Sequence, residues 1–262
     1  MRIVAIGGGD MPAGETLALD RHVLEMTGKP NPRALFLPTA SFDAPLYWQG
    51  FQETYGVRLG CDADVLFLWE GYTQEEIEEI IQATKWNPEP HAWEFRGDPN
   101  RVASAVEAAD LVYAGGGNTK RLLELWRSIG LDEMLRRAAE RGCVLSGLSA
   151  GCICWGRYGN SDFALTEDLG KPTGRIEGLD FIPLALCPHM SRESFRLEEF
   201  KAMMRETPGV GIGLDDGCAL EYVDGRYRIL SCLEGAVAHR VTADSHEIIE
   251  PFDEPREVAA IL

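Results

Sequence analysis

One stretch of the sequence constrains the fold more than any other: an apolar run that ends in two glycines flanking a serine. Residues 143–151 read CVLSGLSAG, in which Gly147, Ser149 and Gly151 form the pattern G-x-S-x-G. Such a serine can occupy a sharp turn between a strand and a helix, with its hydroxyl held out at the carboxyl end of a sheet. Side chains at the two glycine positions would collide across so tight a turn. The stretch therefore predicts a strand–turn–helix unit, and a tight turn around a buried serine is the alternative.

Composition and charge exclude several classes of function. The 262 residues are 45% hydrophobic, enough for one large core, and we expect a single domain over 1–262. The net charge of −17 opposes binding to nucleic acid or to an anionic membrane, because such partners require clustered Lys and Arg. No apolar run reaches the length of a membrane span, and the amino terminus passes straight into a strand-like segment. We therefore expect a cytoplasmic protein.

The seven cysteines are interpreted as reduced thiols. Their number is odd, and most of them lie inside apolar runs, which suits core packing better than a disulfide framework. Cys152 and Cys154 are spaced C-x-C, and no second pair or nearby histidine completes a zinc site. The sequence therefore predicts no metal centre.

Strand-like and helix-like segments alternate along the first 150 residues. This alternation predicts parallel strands joined by helical crossovers, hence a three-layer α/β fold with a mostly parallel central sheet flanked by helices. Residues 87–90 break the pattern, residues 7–10 are interpreted as a plain loop, and residues 157–174 as a surface loop or ribbon. The predicted strands are 2–6, 33–37, 64–69, 111–114 and 184–189, followed by a C-terminal antiparallel meander of 218–223, 227–231 and 237–241. The predicted helices are 15–26, 46–55, 74–84, 99–109, 120–128, 131–141 and 196–205.

A second special turn precedes the serine unit. The strand 111–114 opens onto Gly115-Gly116-Gly117-Asn118-Thr119, and a helix follows. The carboxyl ends of parallel strands lie at one edge of the sheet, where ligands of open α/β folds bind. Unshielded backbone N–H groups of Gly116 and Gly117 can face an oxyanion there, together with the N–H of Ala150. A flexible strand–helix loop is the alternative.

The candidate base and its orienting acid come later in the chain. His189 ends the apolar segment Leu184-Ala185-Leu186-Cys187-Pro188-His189, and histidine is the usual base for a serine nucleophile. Asp215 and Asp216 follow another strand-like run, and one of them could accept the imidazole N–H and fix its tautomer. An Asp-Gly hairpin turn is the alternative for these two residues.

Taken in order, these motifs resemble the peptidase E family of serine peptidases, which includes aspartyl dipeptidases and cyanophycinases. The resemblance rests on four segments and extends from the first strand to the meander: residues 114–119 (AGGGNT), 147–151 (GLSAG), 187–189 (CPH) and 213–217 (GLDDG). It implies a fold similar to class I glutamine amidotransferases, with serine in place of their nucleophilic cysteine.

The resemblance also implies roles for individual residues. Ser149 and His189 match the nucleophile and the base, and the third position falls on Asp216, where the family more often has glutamate. Asp215 and Asp162 remain rivals for that role. The candidate oxyanion and substrate-binding residues are Gly116, Gly117, Asn118, Ala150, Arg192 and Arg196, and the two arginines do not clearly match the binding arginine of the family. The two arginines are the nearest candidates for binding an acidic side chain, and surface charge at the start of a helix explains them equally well.

These observations predict a serine peptidase that cleaves small peptides, dipeptides in particular, with N-terminal Asp as the candidate specificity. It would need no cofactor and no metal. Its expected partner is a small peptide substrate, with neither nucleic acid nor membrane, and a homodimer is the candidate assembly. The alternatives are a cyanophycinase-like hydrolase of β-linked aspartyl substrates and a catalytically idle binding protein of the same fold.

Overall fold

The computed structural model describes residues 1–84, 94–162 and 172–262, and its strands form two sheets. Most strands are short runs of apolar residues, and in the central ones both faces are buried. The strands are β1 (Arg2–Ile6), β2 (Arg33–Leu37), β3 (Asp62–Val65), β4 (Leu111–Ala114), β5 (Val144–Leu148), β6 (Gly156–Ser161), β7 (Gly174–Glu177), β8 (Ile182–Cys187), β9 (Gly211–Leu214), β10 (Cys218–Val223), β11 (Arg226–Ser231), β12 (Ala238–Val241), β13 (His246–Ile249) and β14 (Arg256–Glu257).

The helices are short and amphipathic. They are α1 (Leu17–Glu25), α2 (Pro45–Phe51), α3 (Gln74–Thr84), α4 (Pro99–Ala108), α5 (Thr119–Ser128), α6 (Leu131–Glu140), α7 (Ala150–Ile153) and α8 (Arg196–Arg205). A π-helical turn, Gln52–Arg58, continues α2, and 3-10 turns lie at Thr39–Ser41 and Val258–Ala260. Among the helices that the structure describes, none combines the length and the apolar character needed to cross a membrane.

The larger sheet has the strand order β14-β11-β10-β1-β5-β4-β2-β3. Strands β1 to β5 in this sheet run parallel to one another, whereas the β1–β10, β10–β11 and β11–β14 pairs are antiparallel. The smaller sheet has the order β13-β12-β9-β8-β6-β7, with β6, β8 and β9 parallel. This arrangement confirms the predicted α/β class with a mostly parallel central sheet flanked by helices.

Alternate residues of the parallel strands enter different cores. In β2, Leu35 and Leu37 face a core that contains α5, α6 and the inner side of the smaller sheet. Ala34 and Phe36 face a second core with residues of α1, α2 and the π-helical turn. The outer face of the smaller sheet packs against Phe200 and Met204 of α8. The period of two along each strand thus places the larger sheet between two apolar layers.

Two predicted elements differ in the structure. The predicted strand 64–69 is displaced, because β3 pairs with β2 over Asp62–Val65 and the chain then leaves the sheet. Trp69 is buried for another reason: it packs in the core, and its indole N–H donates to the carbonyl of Thr39 at 3.0 Å. Most of the apolar residues that follow β3 are thus buried without pairing as a strand, so the apolar pattern of this segment indicates burial only.

The predicted meander is split between the sheets. Strands β10 and β11 pair as expected, but β12 crosses to the smaller sheet, where it pairs with β9 and β13. Alternation and turn residues predict the strand itself and carry no information on which sheet it joins. The segment interpreted as a surface loop or ribbon after the serine helix begins instead with an inner strand, because β6 pairs with both β7 and β8 and its last three residues are buried. The predicted break at 87–90 and the centre of this ribbon lie outside the described residues.

Candidate active site

Ser149 lies on a strained turn between β5 and α7. Its φ is 59° and its ψ is −111°, a conformation that costs a residue with a side chain on the order of 1–3 kcal/mol. A Cβ on Gly147 would lie 2.5 Å from the carbonyl oxygen of Gly151, and a Cβ on Gly151 would lie 2.0 Å from that of Ala114. Both glycines are therefore needed for this turn to pack against the end of β4, as the sequence predicts.

His189 is brought to Ser149 from the other sheet. It follows β8 with φ 60°, and its backbone N–H donates to the carbonyl of Gly7 at 3.2 Å. Its Nε2 lies 2.9 Å from Ser149 Oγ, and its Nδ1 lies 2.7 Å from Asp216 Oδ1. An ionised carboxylate can only accept, so Nδ1 carries the proton and Nε2 is free to accept the serine proton. The imidazole side chain is 14% exposed, and the site is therefore open to a substrate.

Asp216 lies on the short connection from β9 to β10, where the chain passes from the smaller to the larger sheet. Its backbone N–H donates to Ser191 Oγ at 3.2 Å, and its carboxylate accepts from His189. The adjacent Asp215 faces β12 instead, and its carboxylate accepts the Val237 N–H at 3.0 Å and lies 3.3 Å from His239 Nε2. Of the three candidate acids, Asp216 is thus the one in hydrogen-bond contact with His189.

Asp162 follows the end of β6. The two ring nitrogens of His189 are occupied by Ser149 and Asp216, which leaves no imidazole N–H for a third partner. The geometry therefore favours Asp216 over Asp162 as the orienting acid.

The glycine run after β1 belongs to the site, contrary to its interpretation as a plain loop. A Cβ on Gly8 would lie 1.9 Å from Asp216 Oδ1 and 2.5 Å from His189 Nδ1. The carbonyl of Gly8 also accepts the Gly217 N–H at 2.9 Å. Since β1 lies between β5 and β10, its end is next to both Ser149 and Asp216. The same edge-of-sheet argument that singled out residues 115–119 could have found Gly8.

Three backbone N–H groups are candidates for an oxyanion hole. Gly116 is adjacent to the serine, because a Cβ built on it would lie 3.3 Å from that of Ser149. Within the described residues, the N–H groups of Gly116 and Gly117 donate to no backbone carbonyl. Ala150 is the first residue of α7, and an N–H in the first turn of a helix has no partner inside the helix. The site thus has unused donors beside Ser149.

The other predicted binding residues are placed differently. Asn118 caps α5, with its side-chain oxygen accepting the Arg121 N–H at 3.1 Å, and it does not line the cavity around Ser149. Arg196 is only 1% exposed, forms an ion pair with Glu193 and is also absent from the cavity. Arg192 is exposed and does line the cavity. Of the two arginines, only Arg192 is within reach of a ligand there.

The cysteines near the serine are buried and inert. All seven are free thiols, and all except Cys232 are buried, which confirms the prediction of reduced core cysteines. Burial raises the pKa of Cys152 and of Cys154 well above its usual range, so that neither is a thiolate near neutral pH. Over 1–84, 94–162 and 172–262, no group of three or more His, Cys, Asp and Glu is placed to hold a metal ion.

The comparisons with known proteins agree with this geometry. The profile described as "Peptidase family S51" matches residues 3–86 and 93–230. The chain belongs to peptidase family S51. It is accordingly a serine-type peptidase, a hydrolase, and the resemblance to peptidase E proteins is confirmed.

Individual relatives extend this result. The chain is 32% identical over 252 residues to the uncharacterized peptidase YgaJ of Bacillus subtilis (strain 168), with 95% of each chain covered. It is 29% identical over 177 residues to Peptidase E of Salmonella paratyphi C, covering 63% of this chain and 71% of that one. In fold it is similar to the crystal structure of a peptidase from an acI-B1 Actinobacterium, with a TM-score of 0.66, 17% identity and coverage of 98% and 96%.

Proposed function

We propose that this S51 peptidase hydrolyses small peptides, dipeptides in particular, through an acyl-enzyme on Ser149. The observation that carries the proposal is the continuous hydrogen-bond path from Ser149 Oγ through His189 to Asp216, with distances of 2.9 Å and 2.7 Å. Both are within the range expected of a nucleophile, its base and the group that orients the base.

The proposed reaction begins with attack by Ser149 Oγ on the scissile carbonyl carbon while His189 Nε2 takes the hydroxyl proton. Asp216 stabilises the resulting imidazolium through Nδ1–H. The carbonyl oxygen becomes an oxyanion, and in this proposal the N–H groups of Gly117 and Ala150 bind it. As the C–N bond breaks, His189 returns the proton to the leaving amine, and the acyl group remains on Ser149.

Water completes the cycle. His189 takes a proton from a water molecule while the water oxygen attacks the acyl carbon. His189 then returns this proton to Ser149 Oγ as the bond between Oγ and the acyl carbon breaks and the carboxylic acid leaves. The strained backbone of Ser149 favours this role, because the elbow holds the hydroxyl out of the sheet rather than in the core. A cytoplasmic setting is part of the proposal and is supported by the seven free thiols.

The proposal is tested by dipeptide hydrolysis in Ser149→Ala and His189→Ala variants. We expect each to lose at least about 10³ in kcat and both to lose similar amounts, since residues that act as a unit are not additive. Ser146→Ala is a matched control. Ser146 lies in β5, the strand that leads to Ser149, but its hydroxyl donates to the Val4 carbonyl in the core. If both variants retain activity within about tenfold of the wild type, the serine mechanism is wrong.

A further inference from the structure

The cavity that contains Ser149 has a volume of about 790 Å³ and an apolar wall. Phe36, Phe51 and Tyr113 form this aromatic wall, with Phe36 stacked on Phe51 at 4.6 Å between ring centroids and Tyr113 tilted against Phe51 at 5.6 Å. These residues come from β2, α2 and β4, so the wall is built on packed elements. The three side chains are only 0–2% exposed, so they form packed backing behind the cavity rather than a surface open to a ligand.

Two large apolar side chains stand at the same cavity and are exposed. Leu46 is 76% exposed and Tyr47 is 47% exposed; we call this pair the apolar lip. Exposed apolar side chains that adjoin a concave site are typical of ligand binding, whereas scattered ones are ordinary. Both lip residues lie in α2, the helix that also contributes Phe51 to the aromatic wall, and they lie at its solvent-exposed start.

The segment that carries the lip is fixed to the rest of the fold. Asp43, just before α2, accepts the Trp69 backbone N–H at 2.6 Å. At the other end of the helix, Gly50 lies so close to Pro12 that a Cβ would come within 2.7 Å of its ring. The lip is therefore held in place beside the cavity before any substrate arrives.

The charges in the cavity disfavour an acidic substrate side chain. Asp10, Glu15 and Asp216 line it, and Arg192 is its single lining cation within the described residues. In a chain of net charge −17, a carboxylate side chain would enter a region with more negative than positive charge. An apolar side chain has no such electrostatic cost, and it gains by removing the exposed lip from water.

We propose that the preferred substrates are short peptides with a bulky apolar side chain next to the scissile bond, held against the apolar lip of the cavity. This inference rests on the proposed function and specifies its substrate class. Burying a side chain the size of Phe or Leu against such a surface favours it over Ala by roughly ten- to hundredfold in kcat/KM. An acidic residue at the same place is expected to be cleaved less well than Ala.

The test uses two dipeptide series, Xaa-Ala and Ala-Xaa, with Ala, Leu, Phe or Asp at the varied position. Product release is followed by mass spectrometry with the wild type and with a Leu46→Ser/Tyr47→Ser double variant. In one of the two series the wild type should cleave the Phe and Leu peptides with a higher kcat/KM than the Ala peptide, and the Ala peptide with a higher kcat/KM than the Asp peptide. The double variant should lose about tenfold of the Phe-to-Ala ratio in kcat/KM.

An exposed apolar residue away from the cavity supplies the control. Ile248 is 60% exposed on β13 and does not line the cavity, so Ile248→Ser should leave the Phe-to-Ala ratio unchanged. The inference is overturned if Asp is cleaved as well as Phe in the better series, or if the double variant keeps the wild-type ratio. A changed sedimentation coefficient with an unchanged ratio would overturn it too, and would assign the lip to an interface between copies.

Labelling by a fluorophosphonate probe separates this inference from the proposed function. A wild type that the probe labels at Ser149 but that hydrolyses none of the dipeptides overturns the substrate class alone. A wild type that is neither labelled nor active overturns the proposed function and the inference together.

Discussion

Adding one methyl group at Gly8 should disable the site without unfolding the protein. Gly8 is buried behind the pair of His189 and Asp216, and its φ is outside the left-handed region, so its backbone conformation suits alanine. The new Cβ would lie 1.9 Å from Asp216 Oδ1, whereas ordinary contact begins at 3.4 Å, a shortfall of 1.5 Å (3.4 minus 1.9). The carboxylate must therefore move, and being 22% exposed it can swing toward solvent.

The size of the loss follows from that displacement. A misplacement of about 1 Å in a catalytic group costs roughly 10² in rate, and complete loss of the orienting acid costs about 10⁴ in a well-studied triad. Gly8→Ala should therefore lower kcat by roughly 10² to 10⁴. The rate of inactivation by a fluorophosphonate should fall in parallel and can be measured without knowing the substrate. The melting temperature should change little.

A double-mutant cycle isolates the cause. In an Asp216→Ala background the contact with the carboxylate is gone, although the new methyl group still lies 2.5 Å from His189 Nδ1, so adding Gly8→Ala should cost less than it does in the wild type. The reasoning is refuted if Gly8→Ala reacts within about threefold of the wild-type rate, or if its effect is undiminished without the Asp216 carboxylate.

Three further predictions follow from the same structure. Asp216→Asn should lower kcat by a few orders of magnitude, whereas Asp215→Asn should leave kcat near wild type and lower the free energy of unfolding by about 1–3 kcal/mol, measured by urea denaturation; the reverse pattern in kcat would assign the orienting role to Asp215. Iodoacetamide should not inactivate the enzyme, because Cys152 and Cys154 are buried; stoichiometric inactivation traced to either by peptide mapping would indicate a cysteine nucleophile. Burial raises the pKa of Asp20 from 3.8 to about 6, so the stability that this carboxyl contributes is fully present below the unfolded pKa of 3.8 and is lost as the pH rises through the folded pKa of about 6. Relative to Asp20→Asn, the wild type should therefore lose on the order of 3 kcal/mol of unfolding free energy from about pH 4 to about pH 8. Parallel curves of stability against pH for the two proteins would contradict this prediction.

The positions of the proposed nucleophile and base are the part of the candidate site that the sequence predicts best. Two glycines identify the position of Ser149. The turn requires them for a local reason, because side chains there would clash within the turn and with the neighbouring β4. His189 follows an apolar strand, and a strand's end is a position that periodicity can locate. The structure places both side chains in contact, at 2.9 Å, although they come from different sheets.

The family resemblance places the third position on Asp216, but strand ends and turn residues alone do not separate it from Asp215. Asp215 and Asp216 are adjacent, so any argument from strand ends applies to both. Their side chains diverge because Asp215 is held by β12, a strand whose crossing to the smaller sheet no local pattern reveals. Arg196 shows the same limit, since a charged residue at a helix start gives no sign that it will be 1% exposed.

Mapping the covalent adduct of a fluorophosphonate probe tests the central claim most directly. After reaction of the wild type, digestion and tandem mass spectrometry should find one adduct per chain on Ser149, in the turn that follows β5. The adduct should be absent from Ser149→Ala and should form much more slowly in His189→Ala. An adduct on any other residue, or undiminished labelling of Ser149→Ala, would contradict the assignment of Ser149 as the nucleophile.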